Sequence, residues 1–195
     1  MSTIAVIGSG NVGRALAGGL QRAGHQVSMG RRDHGAGVVV DGVEALDVAT
    51  AIGAAEIIIN ATPGDTSVQR FAPLAETIGT RVLIDVSNGA RAGTAAELQH
   101  RLPRARVVKT LSTVLFMVMA APEQLSHPAV VFLSGDDRSA KATTRALLHD
   151  LGWTPEQVLD LGGIATAATV EAAYPLAMAA VRAHGIAPFA LTAVF

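Results

Sequence analysis

Residues 3–13 read TIAVIGSGNVG. A short apolar, β-branched run is followed by glycines at 8, 10 and 13. Such a run, stopped by glycine after five residues, has the length and composition of a buried parallel strand rather than of a helix. Beyond it, Val12, Ala15, Leu16, Gly19, Leu20 and Ala23 recur at helical spacing and mark one apolar face, which Gly24 ends. Gln26 to Met29 is a second short strand. Strand, glycine turn, helix and strand in immediate succession form a βαβ unit, so the chain is α/β from its first turn.

Outward from this unit the alternation continues. Val38 to Val40, Glu56 to Ala61, Arg81 to Val86 and Arg106 to Leu111 read as strands, and Val43 to Ile52, Val68 to Ile78 and Ala95 to Leu102 as helices between them. After Leu111 the character changes. Val114 to Ala121 is almost wholly apolar, Ala129 to Leu133 is strand-like, and Asp136 or Asp137 is placed to cap a helix through Leu151. Val158 to Leu161 is a last short strand. Thr166 to Ala183 reads as a small-residue helix whose only charged side chains are Glu171 and Arg182, with Pro175 as a candidate kink. A helix so apolar is expected to be buried, on its own sheet or against a second copy of the chain.

Composition narrows the function classes. The 195 residues are 50% hydrophobic, carry a net charge of −1 and contain no cysteine. Disulfide frameworks, thiolate metal sites, iron–sulfur clusters and cysteine nucleophiles are thereby excluded. Near-neutral charge argues against a nucleic-acid binder that works by neutralising phosphates. Of the 15 basic residues only Lys109 and Lys141 are lysines, so cationic sites favour the forked contacts of arginine. No basic segment precedes an apolar run at the N-terminus, and the longest apolar stretches, such as Ala172 to Val181, read as too short to span a bilayer. The expectation is a soluble, cytoplasmic protein with no membrane or nucleic-acid partner. The six histidines show no metal-binding spacing, so no metal site is expected.

Gly8-x-Gly10-x-x-Gly13 lies between a strand and a helix, where a dinucleotide fingerprint belongs. Gly8 permits the tight turn, Gly10 lets the backbone approach a pyrophosphate, and Gly13 lets helix and strand pack closely. Ser9 to Val12 then present free amides to the anion. At the end of the second strand, about 20 residues on, NAD-binding chains place an acid for the ribose hydroxyls. This chain has Gly30-Arg31-Arg32 there, two guanidiniums suited to a 2′-phosphate, so NADP(H) is the expected cofactor. Asp33 is the dissenting residue, because a shift of one position would let NAD(H) compete. Ala61, Thr62 and Pro63, and later Ser87 and Asn88, follow strands at the same carboxyl edge and are expected to line the cofactor groove. The expected fold is a Rossmann doubly wound, mostly parallel sheet over residues 1–112. Residues 113–195 are expected to form a small α-rich lobe that shares the core and covers an acceptor site.

No catalytic residue stands out. There is no nucleophile elbow, phosphate loop or fixed carboxylate pair, and Asp85 reads as a structural cap. Hydride transfer between two bound cofactors needs chiefly position and exclusion of water, and fits such a site.

With the glycine fingerprint, the Gly-Arg-Arg turn, Thr62-Pro63, RVLIDVSNG at 81–89 and ARVVKTLST at 105–113, the chain resembles the NADPH-dependent coenzyme F420 reductase family. SGDDRSAKATTRALLHDLG at 134–152, the Gly162 to Leu176 region and the ending around Phe189 extend the likeness over nearly the whole chain. The resemblance implies a Rossmann sheet with a small α-rich lobe, an NADP site at Ser9 to Val12 and Arg31 to Arg32, and a homodimer. It also departs from the family. Relatives commonly have Gly-Ser-Arg at Gly30-Arg31-Arg32, and Lys-Ala-Phe-Asn-Thr at Lys109 to Thr113. The segment Val114 to Ala121 is more apolar than usual, and a Phe-x-x-Lys ending appears as Phe189 to Thr192. The expected activity is hydride transfer between NADP(H) and a flat acceptor, with coenzyme F420 the first candidate. Leu111, Ser112, Thr113 and Met117 are expected to wall the acceptor. Flavin, ferric-chelate, imine or carbonyl acceptors stay open, as does a non-catalytic NADP sensor whose apolar segments from Val114 and Thr166 contact a partner.

Overall fold

A computed structural model describes residues 1–31 and 39–194. Its first half runs β1 (Thr3–Ile7), α1 (Asn11–Arg22), β2 (Gln26–Gly30), β3 (Val39–Val40), β4 (Val43–Leu46), α2 (Val48–Ala54), β5 (Ile57–Asn60), α3 (Gly64–Phe71), α4 (Ala75–Ile78), β6 (Val82–Asp85), α5 (Thr94–Arg101) and β7 (Arg106–Thr110). The second half adds α6 (Phe116–Met119), β8 (Val131–Gly135), α7 (Arg138–Asp150), β9 (Val158–Gly162), α8 (Ala167–Glu171) and α9 (Tyr174–His184). One sheet of nine strands takes the order β3-β4-β2-β1-β5-β6-β7-β8-β9. All neighbours are parallel except β3 with β4 and β7 with β8. This is the doubly wound Rossmann architecture. The order reverses direction between β1 and β5, where open α/β sheets form a ligand crevice.

Strand residues alternate between two cores, one on each face. Ile4, Val6, Ile57, Ile59, Ile84 and Val108 pack with Leu16, Leu20, Val118, Leu147 and Trp153. Ala5, Ile7, Ile58, Leu83 and Val107 face Ile52, Phe71, Ile78 and Leu98. Burial on both faces explains why these strands read as continuous apolar runs. Trp153 is fully buried, and its indole donates to the Met119 carbonyl at 3.0 Å.

Three expected elements differ. Val43 to Ile52 is not one helix: Val43–Leu46 pairs in parallel with β2, and Asp47 then accepts from the Thr50 amide at 2.9 Å to cap α2. Val68 to Ile78 is interrupted, because Pro73 has no amide to donate and the chain passes through a 3-10 turn at 72–74. Thr166 to Ala183 breaks rather than kinks, with Ala172 and Ala173 separating α8 from α9 and Pro175 in the first turn of α9. Asp137, not Asp136, caps α7 through the Ala140 amide at 2.7 Å. Residues 164–184 also correct the reading of apolar length. Taken together they have the length and mean hydropathy, 1.4, of a membrane-spanning helix. Their middle, however, holds a buried ion-paired carboxylate, Glu171.

Candidate dinucleotide and acceptor site

Across the carboxyl ends of β2, β1, β5, β6 and β7 runs one cavity of about 820 Å³. At its centre is the turn from β1 into α1. Gly8 has φ +122°, and a Cβ there would stand 2.6 Å from the Ala61 carbonyl oxygen. A Cβ at Gly13 would stand 1.9 Å from the Gly8 oxygen, whereas at Gly10 it would meet nothing within 4 Å. The two outer glycines therefore pull helix and strands together, and the middle one leaves open space above the first amides of a twelve-residue helix. No acidic side chain stands in the first turn of that helix. Open space beside unpaired amides fits a pyrophosphate.

Toward β2 the cavity is lined by Arg31, Val48, Arg70, Phe71, Pro73 and Leu74. Arg31 and Arg70 are the only charged side chains among the described lining residues, which thus bring two guanidiniums and no acid. Arg70 is held in place: its Nε donates to the Thr66 hydroxyl at 2.9 Å, and that hydroxyl donates to the Pro63 carbonyl at 3.2 Å. Arg32 and Asp33 lie outside the described residues.

Toward β6 and β7 the lining turns polar without charge. Ser87, Asn88, Ser112 and Thr113 lie here. Asn88 Nδ2 donates to the Ser112 carbonyl at 2.9 Å, tying the two strand ends together. The Ser87 hydroxyl, the Asn88 side-chain oxygen and the Thr113 hydroxyl are buried without a partner. Leu111 sets up this corner. It adopts φ +58°, a left-handed conformation costly for a branched side chain, and is held there by burial in the core.

Leu115, Phe116, Met119, Tyr174, Ala177, Met178 and Phe189 form the opposite, apolar wall. The tail reaches it by pairing back on the chain: Leu115 N donates to the Phe189 carbonyl at 3.0 Å and Leu191 N to that of Thr113 at 2.8 Å.

Of the residues expected from sequence, Gly8, Ser9, Gly10, Asn11, Val12, Arg31, Ala61, Thr62, Pro63, Ser87, Asn88, Ser112 and Thr113 all line this one cavity. Gly13 instead packs α1 on β1. Leu111 turns into the core, and Met117 lies outside the lining although Phe116 and Met119 belong to it. Arg70 and Tyr174 carried no motif, and Phe189 entered only through the likeness of the ending, with no role attached. Tyr174 had one signal, as the single tyrosine of the chain in an otherwise small-residue segment.

Beneath the polar corner lies a buried ionic network. Lys109 Nζ stands 2.8 Å from Asp85 and 3.2 Å from Glu171, and also donates to the Ser87 carbonyl. Asp85 accepts from Asn60 Nδ2 at 2.8 Å and from the Ser87 amide at 3.2 Å. Asn60 Oδ1 accepts from the Thr62 amide and hydroxyl. Glu171 accepts from the Gly93, Thr94 and Ala95 amides, where the helix dipole of α5 favours an anion.

Fold and cavity together are those of a dinucleotide-binding protein. Residues 3–89 match the family of coenzyme F420-dependent NADP oxidoreductases. A solved structure from Arthrobacter sp. FB24, provisionally assigned as an F420-dependent NADP reductase, is 32% identical with a TM-score of 0.90, and each chain covers 100% of the other. The chain belongs to this family and is an NADP-dependent oxidoreductase. The imine reductase of Streptomyces aurantiacus shares the fold at 21% identity and a TM-score of 0.68, over 92% of this chain and 61% of that one. The NADP-bound pyrroline carboxylate reductase of Plasmodium falciparum does so at 10% identity and 0.65, over 92% and 65%. No curated protein matches the chain significantly.

Proposed function

We propose that the protein reduces a flat, conjugated acceptor with NADPH and that coenzyme F420 is that acceptor. One observation carries the reading: a single uninterrupted cavity joins a guanidinium-lined end, an amide-lined middle and a partnerless polar corner to a wall of aromatic and thioether side chains. NADPH, when bound, supplies the hydride. Residues 1–112 hold the cofactor in this reading, and residues 113–195 cover the acceptor.

The amides at the start of α1 bind the pyrophosphate, and Arg31, at the end of β2, takes the 2′-phosphate. Arg70 has apolar neighbours, Val48, Phe71, Pro73 and Leu74, which suit a flat base better than a dianion. Its guanidinium therefore stacks on the adenine. Ser87, Asn88, Ser112 and Thr113 form the uncharged polar stretch of the lining against which the nicotinamide carboxamide lies. Phe116, Met119, Tyr174, Met178 and Phe189 exclude water and press the acceptor against the nicotinamide. Exposed apolar side chains on and after α9, Leu176 and Ile186, support assembly as a homodimer.

Mixing the protein with NADPH and oxidised F420 tests the activity through loss of the deazaflavin absorbance. The expected result is rapid loss with NADPH and little with NADH. NADPH binding without its consumption by F420, flavin, imine or ferric chelate would establish a sensor instead, and turnover of one of the others alone would move the acceptor.

A further inference from the structure

Lys109 and Glu171 touch no part of the cavity, yet they join its two sides. Lys109 and Asp85 are fully buried and Glu171 is nearly so. Lys109 is the penultimate residue of β7, just before the turn that presents Ser112 and Thr113, and grips the Ser87 carbonyl two residues beyond β6. Glu171 ends α8, three residues before Tyr174 on the acceptor wall. Through Asp85 and Asn60 the same network reaches Thr62 on the β5 side. One ammonium is thus the common partner of a cofactor-side loop and of the segment that leads into the acceptor wall.

The groups it organises are those left incomplete. The Ser87 hydroxyl, the Asn88 oxygen and the Thr113 hydroxyl are buried and partnerless, as is the Thr110 hydroxyl next to Lys109 and outside the cavity lining, whereas Lys109 and its two carboxylates are each held by several bonds. Buried polar atoms without partners are rare, and each calls for a reason. Here the satisfied network lies directly behind the unsatisfied corner.

We infer that Lys109, clamped between Asp85 and Glu171, is a positioning residue that fixes the Ser87–Asn88 and Ser112–Thr113 backbones, the uncharged polar stretch of the lining against which the nicotinamide carboxamide is placed. The ammonium does not touch the ligand; it sets where the ligand's partners stand. Glu171 adds the second half of the device, because the same charge that orders the corner anchors α8 and, beyond it, Tyr174. This inference rests on the NADPH reading above.

The test separates the two ends of the cofactor. Wild type and Lys109→Met are titrated with NADPH and with 2′,5′-ADP, which carries the phosphorylated adenosine end and no nicotinamide. Wild type is expected to bind both, NADPH more tightly. Lys109→Met is expected to keep its affinity for 2′,5′-ADP and to lose about tenfold or more for NADPH, the scale of one lost hydrogen bond. Glu171→Gln keeps one acceptor oxygen, enough for the Gly93 and Thr94 amides, loses the charge paired with Lys109, and serves as the milder variant if Lys109→Met fails to fold. It is expected to shift NADPH affinity in the same direction with 2′,5′-ADP unchanged. Equal loss of both ligands, no loss of either, or a wild type that binds them equally would overturn the inference. A wild type that binds neither would instead remove the cofactor reading itself.

Discussion

At Gly13 there is no room for a side chain: a Cβ would stand 1.9 Å from a backbone oxygen that cannot move without opening the β1–α1 turn. At Gly10, three residues earlier in the same motif, a Cβ would meet no protein atom within 4 Å. The two glycines therefore separate folding from binding. Gly13→Ala is expected to cost about 1–3 kcal/mol, the range for an overpacked site, and to lower the thermal midpoint visibly. Gly10→Ala is expected to leave that midpoint within a few degrees, while the methyl group stands where the pyrophosphate must approach and weakens NADPH binding by about tenfold or more. Paired thermal melts and NADPH titrations read both; a binding loss that merely tracks the stability loss would remove the pyrophosphate from this turn. The two arginines divide in a similar way. Arg31→Ala is expected to weaken NADPH and spare NADH, because only the former carries the 2′-phosphate. Arg70→Ala is expected to weaken both alike, because both carry adenine. An NADPH-selective loss at Arg70 would make it a phosphate ligand instead.

Among the elements, α7 and β9 are joined by one carboxylate. Asp160 on β9 meets Lys141 at 3.0 Å and Arg145 at 3.3 Å, both on α7. Burial works against its charge, but the Gly162 amide, the Lys141 ammonium and the Arg145 guanidinium together hold its carboxyl below the ordinary value. A carboxyl lowered in the folded state contributes stability above its unfolded pKa, about 3.9, and loses it as pH falls through the folded value. Asp160→Asn is therefore expected to melt slightly below wild type at pH 6, with the gap closing toward pH 3; a gap independent of pH would mean that packing, not charge, joins these elements. The size is modest because the group is largely exposed. How far elements were legible in the sequence depended on whether one periodicity ran long enough. The face of α1 was plain because six positions repeat in step. Val43 to Ile52 misread because a four-residue strand runs through Asp47 directly into a helix, so one window averages periods of 2 and 3.6. The candidate site divides likewise. Its cofactor side comes from strand ends with local glycine and turn signals. Its acceptor wall draws Tyr174, Met178 and Phe189 from far along the chain through backbone pairing such as Val114 with Ala190, and pairing at that distance has no local signature.

Over the whole molecule the cavity is closed by α9 and the segment after it, through Tyr174, Ala177, Met178 and Phe189. Of α9 only Ala177 is buried, while Leu176 is 61% exposed and Ile186, just beyond the helix, 75%. A helix apolar on most of its circumference and packed on so little of it leaves a face for a second surface, and the same helix supplies Tyr174 and Met178 to the cavity. Pairing α9 with α9 of a second copy would cover Leu176 and steady the acceptor wall together, and would thereby link assembly to acceptor binding while leaving the proposed adenosine end at Arg31 apart. Leu176→Glu places a charge on the exposed face without entering the cavity lining. Sedimentation at two concentrations is expected to show a dimer for wild type and a monomer for Leu176→Glu. The variant is expected to keep its affinity for 2′,5′-ADP and to lose about tenfold in kcat/KM for the acceptor, roughly what one displaced wall contact costs. A wild type that sediments as a monomer at both concentrations refutes the paired helix, and a monomeric variant with unchanged kcat/KM shows that the wall stands without a partner.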